Sequence, residues 1–182
     1  MGGDMADPRA RRAALRLSYR LRQFWEALRA RPDPQALEAA QRVLDPSLWA
    51  LFRQMPPNEQ AHALRVFQRL RQAGHTEHDL LVAALLHDVG KALHHPRLWE
   101  RVAVVLAYAC CPRRAFQLGE GEPRGWRRPF VLARQHPEWG ARLAADAGAS
   151  PEVAALIRHH QTFPPPPDLP HLAALQAADD QE

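Results

Sequence analysis

Lysine is almost missing from this sequence: of its 24 lysine and arginine residues, 23 are arginines and one is a lysine. Codon usage in a GC-rich genome explains such an arginine excess, and it also fits the abundance of Ala, Leu and Pro. It does not explain the position of the remaining lysine. Lys91 closes the segment LLHDVGK, residues 85–91, which follows an apolar run.

Cysteines and long apolar runs are also scarce. Cys110 and Cys111 are adjacent, so they cannot staple distant parts of a fold, and they lack the spacing of zinc ligands. The longest apolar run, residues 102–111, is about half of what crosses a bilayer. Residues 1–5 are polar and acidic and do not resemble a secretory signal. We therefore expect a cytoplasmic protein with reduced thiols and no transmembrane segment.

Strand-like alternation is missing as well, and apolar residues instead recur at helical spacing. With 46% hydrophobic and 24% charged residues in 182, the chain is long enough to bury a core as one globular domain. We expect an all-α single domain of about eight or nine helices. Within it, residues 1–57 are expected to form an N-terminal helical extension of unknown role, and 58–182 the functional domain.

Prolines, glycines and capping residues set the expected helix bounds. They predict helices over about 9–30, 34–44, 48–52, 58–73, 80–88, 96–111, 129–148, from 150–152 to before 163, and 169–180. Pro137 is expected to interrupt the helix that it lies in. Residues 112–128 are predicted to be a loop, because they show no apolar period and are rich in glycine and proline near their end. Residues 164–167 read as a polyproline connector.

The basic residues cluster in two segments, Arg9 to Arg31 and Arg113 to Arg134, although the net charge is only +4. Such clusters are typical of solvated helix faces; the alternative is an anionic partner such as nucleic acid or a membrane surface. No nucleic-acid-reading motif is present, and aromatic residues do not alternate with the arginines. Nucleic acid is therefore not the expected partner.

One helix is apolar on every side and ends in two polar residues. Residues 80–86 carry no polar side chain, which indicates that this helix lies inside the protein. His87 and Asp88 thus emerge from a core element and must be paired, hydrogen-bonded or metal-bound. Together they offer the nitrogen and oxygen donors that suit Mn, Fe, Ni or Zn. The alternative is a buried ion pair or a helix cap.

Other histidines and acids stand at suggestive places. His62 lies on the preceding helix near its buried face, and His136 stands just before Pro137. His160 shares a face with buried-type residues, from which His159 is rotated away. Asp179 lies on the last helix. The remaining histidines are expected to be loop or cap residues, namely His75, His78, His94, His95 and His171.

In combination, these segments resemble the HD superfamily of metal-dependent phosphohydrolases. The resemblance rests, in chain order, on His62-x-x-Arg65-Val66, residues 83–91, residues 136–141, residues 157–160 and Asp179. It covers about 58–180. The His-Asp-x-Gly-Lys run in an apolar helix is the specific part of the resemblance. His62 and Asp179 are weak signals individually and support the resemblance through their order along the chain.

The resemblance implies a site for one or two divalent metal ions, with Mn, Fe, Ni, Mg and Zn all open. It implies that the first ion is held by His62, His87, Asp88 and Asp179. It implies that the second is held by His136 and His160, with Asp88 bridging. Asp88 and Lys91 are then the catalytic residues, and Lys91 and Arg65 contact the substrate phosphate.

Two departures from the family pattern narrow the expected function. The Gly-Tyr-Pro extension of the branch that acts on cyclic di-GMP is absent, and Gln161 stands where the two-metal branch often has a second histidine. A first ion is thus better supported than a second. We expect hydrolysis of a phosphoric ester or anhydride, of nucleotide type, although a non-nucleotide phosphate stays open. The alternative is a non-catalytic HD-type module that senses a ligand or regulates a partner.

Overall fold

The computed structural model describes residues 30–94 and 97–181, without the side chain of Leu98. The predicted helix over 9–30, most of the first arginine cluster and His95 lie outside these residues. Over the described residues the chain forms nine α-helices and no strand, which confirms the all-α prediction. No helix in this part of the chain combines the length and the apolar character needed to cross a membrane.

The helices follow one another with short connections. They are α1 Pro34–Val43, α2 Pro46–Phe52, α3 Pro57–Gln72, α4 His78–Leu86, α5 Leu98–Cys110, α6 Pro112–Leu118, α7 Arg128–Asp146, α8 Pro151–His159 and α9 Leu172–Asp179. A 3-10 helix, Val89–Leu93, follows α4, and a second, Gly125–Arg127, precedes α7. Six of the helices have a proline in their first turn, where its missing N–H costs nothing.

Side-chain caps fix two of the helix starts. The Asp33 carboxylate accepts a hydrogen bond from the Ala36 amide of α1 at 2.8 Å. The Ser150 hydroxyl accepts one from the Val153 amide of α8 at 3.1 Å and donates to Asp79 at the start of α4. The second cap thereby also ties the beginning of α8 to the beginning of the core helix.

Helix α4 is the centre of the fold. All seven of its residues from Leu80 to Leu86 are buried, as the apolar run predicts, and the helix packs against α3, α8 and α9. The same core includes Ala36 and Ala40 of α1 and Phe52 of α2. The helix ends at Leu86, two residues earlier than predicted, so that His87 and Asp88 lie in the turn that follows it.

The structure corrects the predicted loop over 112–128, because residues 112–118 form α6. Only Ala115 of this short helix is buried, which is why the sequence shows no apolar period there. The Phe116 ring packs under the Arg134 guanidinium at 3.8 Å. Arg127 also donates to the carbonyl of Glu120 at 2.9 Å, so two arginines of the second basic cluster hold the glycine-rich segment in place.

The expected interruption at Pro137 is also wrong, since α7 continues through it. Proline has no N–H to donate to the carbonyl four residues earlier, which here belongs to Ala133. The His136 ring supplies a substitute, because its Nδ1 lies 3.1 Å from the Ala133 carbonyl oxygen. The helix therefore continues without a break through Pro137, and the buried His136 ring contributes to this continuity.

The backbone of the 3-10 helix after α4 is pressed against α7 at Gly90. A Cβ at this position would overlap the carbonyl oxygen of His136 and lie 2.8 Å from the amide nitrogen of Gly140. No side chain fits between the two segments, so a glycine is required there. This close approach fixes the position of Asp88 relative to His136.

We predict that Gly90→Ala destabilises the protein by roughly 1–3 kcal/mol, because backbone atoms cannot move aside as a flexible side chain can. Gly140→Ala is the graded control: its Cβ would lie 3.2 Å from the Gly90 nitrogen, so the loss of stability is expected to be smaller. Urea denaturation followed by circular dichroism measures both. An unchanged midpoint for Gly90→Ala would contradict the close packing.

Candidate metal centre

Six side chains from five parts of the chain converge beyond the end of α4. Their ligand atoms form two groups, and within each group these atoms all lie within 4.8 Å of one another: His62, His87 and Asp179 form one, and Asp88, His136 and His160 form the other. These are the six residues for which a metal role was predicted. Each group has the donor atoms to hold a metal ion.

The first group lies where α3, the end of α4 and the end of α9 meet. His62 Nε2 is 2.9 Å from Asp179 Oδ1 and 3.3 Å from His87 Nε2. His87 Nε2 is 3.6 Å from the same carboxylate oxygen. His62 and Asp179 are half-buried, whereas His87 is fully buried. This group therefore reaches the surface through its α3 and α9 members.

The second group is buried more deeply. Asp88 Oδ1 lies 3.2 Å from His136 Nε2 and 3.7 Å from His160 Nε2. All three residues are at most 4% exposed. Gln161, which stands where the family pattern often has a histidine, has its Nε2 3.5 Å from His136 Nε2. It is thus next to this group although it is not one of its members.

The Asp88 carboxylate lies between the two groups. While Oδ1 faces His136 and His160, Oδ2 is 3.4 Å from His87 Nε2 and 3.8 Å from His62 Nε2. The sharp turn after α4 makes this possible, because it carries His87 and Asp88 out of the helical line and toward a common interior.

The three buried histidines are oriented in the same way. Each donates its Nδ1–H to a backbone carbonyl of the preceding turn: His87 to Ala84 at 2.9 Å and His160 to Ile157 at 2.8 Å, whereas His136 shares its proton between Leu132 at 3.0 Å and Ala133 at 3.1 Å. This bond fixes the tautomer and directs Nε2 inward, as in histidines that bind metals. Nε2 of His160 is buried and has no hydrogen-bond partner. A buried imidazole lone pair without a partner at this place is suited to coordinate a cation.

The electrostatics of the cluster also favour a positive charge at its centre. Burial lowers the pKa of His87, but the charge of Asp88 and the hydrogen bonds to Asp179 and Asp88 outweigh it and raise this pKa to about 10. Burial and the neighbouring His87 charge lower the pKa of His160 to about 3, so that ring is neutral. Without a metal, a proton on His87 therefore supplies the charge that the carboxylates require.

Lys91 completes the cluster on one side. Its Nζ lies 2.6 Å from Asp88 Oδ2 and 3.6 Å from Glu59 Oε2, and these carboxylates raise the Lys91 pKa although burial acts to lower it. For Asp88, burial acts in the opposite direction and raises the pKa, but the charges of Lys91 and His87 outweigh burial and hold this pKa well below its usual value. The ammonium group and the carboxylate thus keep each other ionised.

The sequence analysis missed Glu59, a buried acid in the first turn of α3. Its Oε1 lies 2.7 Å from Arg101 Nη2 of α5, and its other oxygen faces Lys91. Burial raises the pKa of Glu59, but the two cations prevail and lower it. The available signal was spacing, since Glu59 precedes His62 by three residues and lies on the same helix face.

The other predicted residues fall outside the two groups. Arg65 is half-buried on α3, one turn after His62, and its role as a phosphate contact stays a prediction. His159 turns away, with Nδ1 3.3 Å from the Thr162 hydroxyl. Three of the histidines expected in loops or caps, His75, His78 and His171, lie beside Glu77, Asp79 and Glu152. His94 packs edge-on against Trp139.

Fold and site together define an all-α domain whose core helix carries a His-Asp pair into a buried histidine and aspartate centre able to hold divalent metal. The family model for the HD domain matches residues 60–181, two thirds of the sequence. The chain belongs to the HD domain family. Comparison with curated proteins and with solved structures gives no match.

Glu59→Gln is predicted to lower the free energy of unfolding by about 1–3 kcal/mol at neutral pH, because it removes the partner of two cations. Since the folded pKa of Glu59 lies below its ordinary value of 4.5, the carboxylate stabilises the fold above that value and loses this effect as the pH falls. The difference from the unmodified protein should therefore shrink in acid.

Denaturation at several pH values measures this difference. Glu38→Gln is the control, because Glu38 forms only an exposed pair with Arg42 at 3.8 Å and should change stability by less than about 0.5 kcal/mol. A Glu59→Gln effect that is equally small, or that does not depend on pH, would contradict the assigned contacts.

Proposed function

We propose that the protein is a metal-dependent phosphohydrolase that catalyses the attack of water on a phosphoric ester or anhydride. The observation that carries this proposal is the Asp88 carboxylate, whose two oxygens face two separate groups of ligand atoms. A buried carboxylate in this position is suited to bridge a pair of cations. Such pairs clamp the oxygens of a phosphate during in-line displacement.

In this proposal a first ion would be held by His62, His87, Asp88 and Asp179. A second would be held by His136, His160 and Asp88. The mixed nitrogen and oxygen donors suit Mn, Fe, Ni or Zn better than Mg. Bound there, the ions supply Lewis-acid stabilisation of the phosphate and lower the pKa of water.

The side chains hold this arrangement before any substrate arrives. The backbone hydrogen bonds of His87, His136 and His160 keep their Nε2 atoms directed inward, so little reorganisation is required. Asp88 is almost fully buried and is held between the two groups by contacts on both of its oxygens.

Lys91 is proposed to meet the substrate phosphate. An ammonium group has three donors, and its two carboxylate contacts leave one for a phosphate oxygen. The side chain is 27% exposed, which places it at the border between the buried centre and solvent. Arg65 is proposed as a second cation for the phosphate, one helical turn from His62 on α3.

The substrate is proposed to be a phosphate-containing small molecule. The sequence leads us to expect a nucleotide, so nucleotides are among the compounds to be tested. The alternative, a module that binds such a ligand without turnover, is the other outcome. A panel of nucleotides and aryl phosphates separates the two when it is assayed with manganese.

We predict that the purified protein hydrolyses at least one member of this panel and that Asp88→Asn lowers kcat/KM by more than about 100-fold, because a bridging ligand is lost. Addition of a chelator should stop turnover, and restored metal should return it. Tight binding of a panel member with no turnover in the metal-loaded protein would instead support the sensing module.

Metal content gives a test that does not depend on turnover. We predict about two ions per chain by elemental analysis and about one after His160→Ala, since this change removes a ligand of the second group only. His159→Ala is the matched control: the neighbouring ring contacts Thr162 and should leave the metal content unchanged. Equal metal content in all three proteins would remove His160 from the site.

A further inference from the structure

A cavity of about 280 Å³ opens between α5 and α7 beside the candidate centre. Its lining consists of Lys91, Glu100, Arg101, Val104, Val105, Pro129, Leu132, Ala133 and His136. Lys91 and His136 belong both to this lining and to the immediate surroundings of Asp88. The cavity therefore leads to the place where a substrate phosphate is proposed to react.

Most of the wall is apolar. The apolar part of the lining consists of Val104 and Val105 of α5, of which Val105 is exposed, and of Pro129, Leu132 and Ala133 of α7. Among these described lining residues none has an amide or hydroxyl side chain, and the His136 imidazole is the only aromatic ring. Because a nucleobase is recognised by stacking and by hydrogen bonds to its edges, this wall offers it little.

The polar groups of the cavity are already engaged. Arg101 pairs with Glu59 at 2.7 Å. Glu100 accepts from Arg128 at 3.1 Å and from the amide of Arg97 at the start of α5. These carboxylate and guanidinium groups hold α3, α5 and α7 together and are not arranged to read a base.

The charge distribution indicates from which side an anionic substrate approaches. The cavity between α5 and α7 is lined by two cations, Lys91 and Arg101, and one acid, Glu100, whereas another cavity beside the centre is lined by His160, Asp179 and Asp180 and by no lysine or arginine. A phosphate is attracted to the first and repelled by the second. The organic group that it carries is then directed along the apolar wall.

We propose that this cavity binds the organic group of the substrate and that this group is apolar, alkyl or aryl, rather than a nucleobase. The inference rests on the proposed hydrolase function and selects the non-nucleotide class that the sequence left open. In the reaction, water oxygen forms a bond to phosphorus, the bond from phosphorus to the ester oxygen breaks, and a proton passes to that oxygen. The products are an alcohol and phosphate.

Hydrolysis of ethyl phosphate, hexyl phosphate and AMP by the metal-loaded protein tests the selectivity. Each buried methylene is worth about three- to fourfold, so a partly open cavity should favour hexyl over ethyl phosphate by about tenfold or more in kcat/KM. Hexyl phosphate is also expected to exceed AMP. A preference for AMP, or equal values for the two alkyl esters, would overturn the inference and leave the hydrolase function intact.

Ala133→Phe fills the cavity from α7 and should reduce the hexyl-to-ethyl ratio to near one. Ala145→Phe is the matched control, because Ala145 is an exposed residue of the same helix outside the cavity and should leave the ratio unchanged. An unchanged ratio in Ala133→Phe would place the hexyl group elsewhere and overturn the assignment.

Binding of ethyl- and hexylphosphonate, whose phosphorus–carbon bond is not hydrolysed, gives a readout that is independent of turnover. Calorimetry should show about tenfold tighter binding of the hexyl compound to the unmodified protein, and no such preference in Ala133→Phe. If no ester is hydrolysed but this preference is found, the hydrolase function fails and the cavity assignment is supported. Equal binding of the two phosphonates contradicts the cavity assignment itself.

Discussion

The buried charge of Asp88 is the constraint on which the rest of the structure depends. A carboxylate that is 2% exposed can remain ionised only where cations and donors replace the lost water. Here the compensation comes from two cations, since His87 Nε2 and Lys91 Nζ lie 3.4 and 2.6 Å from Asp88 Oδ2 and hold the pKa of this carboxyl down. Removing either cation leaves an uncompensated negative charge in the interior, so the site and the stability of the fold are coupled.

The fold delivers these groups through the ends of its helices. Helix α4 gives His87 and Asp88 from its C-terminal turn because the helix itself is anchored on all sides by the core. Gly90 lets the following segment touch the backbone of α7, which brings His136 next to Asp88. In turn, the His136 ring donates a hydrogen bond to the Ala133 carbonyl, which Pro137 cannot do because proline has no N–H. One imidazole thus supports both the continuity of a helix and the geometry of the site.

The sequence predicted the parts of this arrangement that leave a local pattern. An uninterrupted apolar run identified α4 as a core helix, and the resemblance to the HD superfamily implied the six residues that the structure brings together. Glu59 was missed because its partners, Lys91 and Arg101, lie on later elements and are far from it in sequence. Helix α6 was missed because a single buried residue, Ala115, produces no apolar periodicity in the sequence. The helix break predicted at Pro137 was wrong because the His136 side chain replaces the hydrogen bond that proline cannot make, and local sequence rules do not reveal such a replacement.

The lone lysine now has a structural context. Lys91 lies between the buried carboxylates of Asp88 and Glu59 and also lines the cavity between α5 and α7. The arginine-rich background therefore contains one ammonium group at the point where the candidate centre meets its access route. A compact ammonium fits between two carboxylates and a phosphate, whereas the planar fork of a guanidinium needs more room.

The central claim is that Asp88 bridges two cations. Anomalous diffraction from crystals of the manganese-loaded protein tests it most directly. Two anomalous peaks are predicted, one beside His62, His87 and Asp179 and one beside His136 and His160, with Asp88 contributing one oxygen to each. A single peak that does not contact Asp88, or no peak within the cluster, would contradict the account.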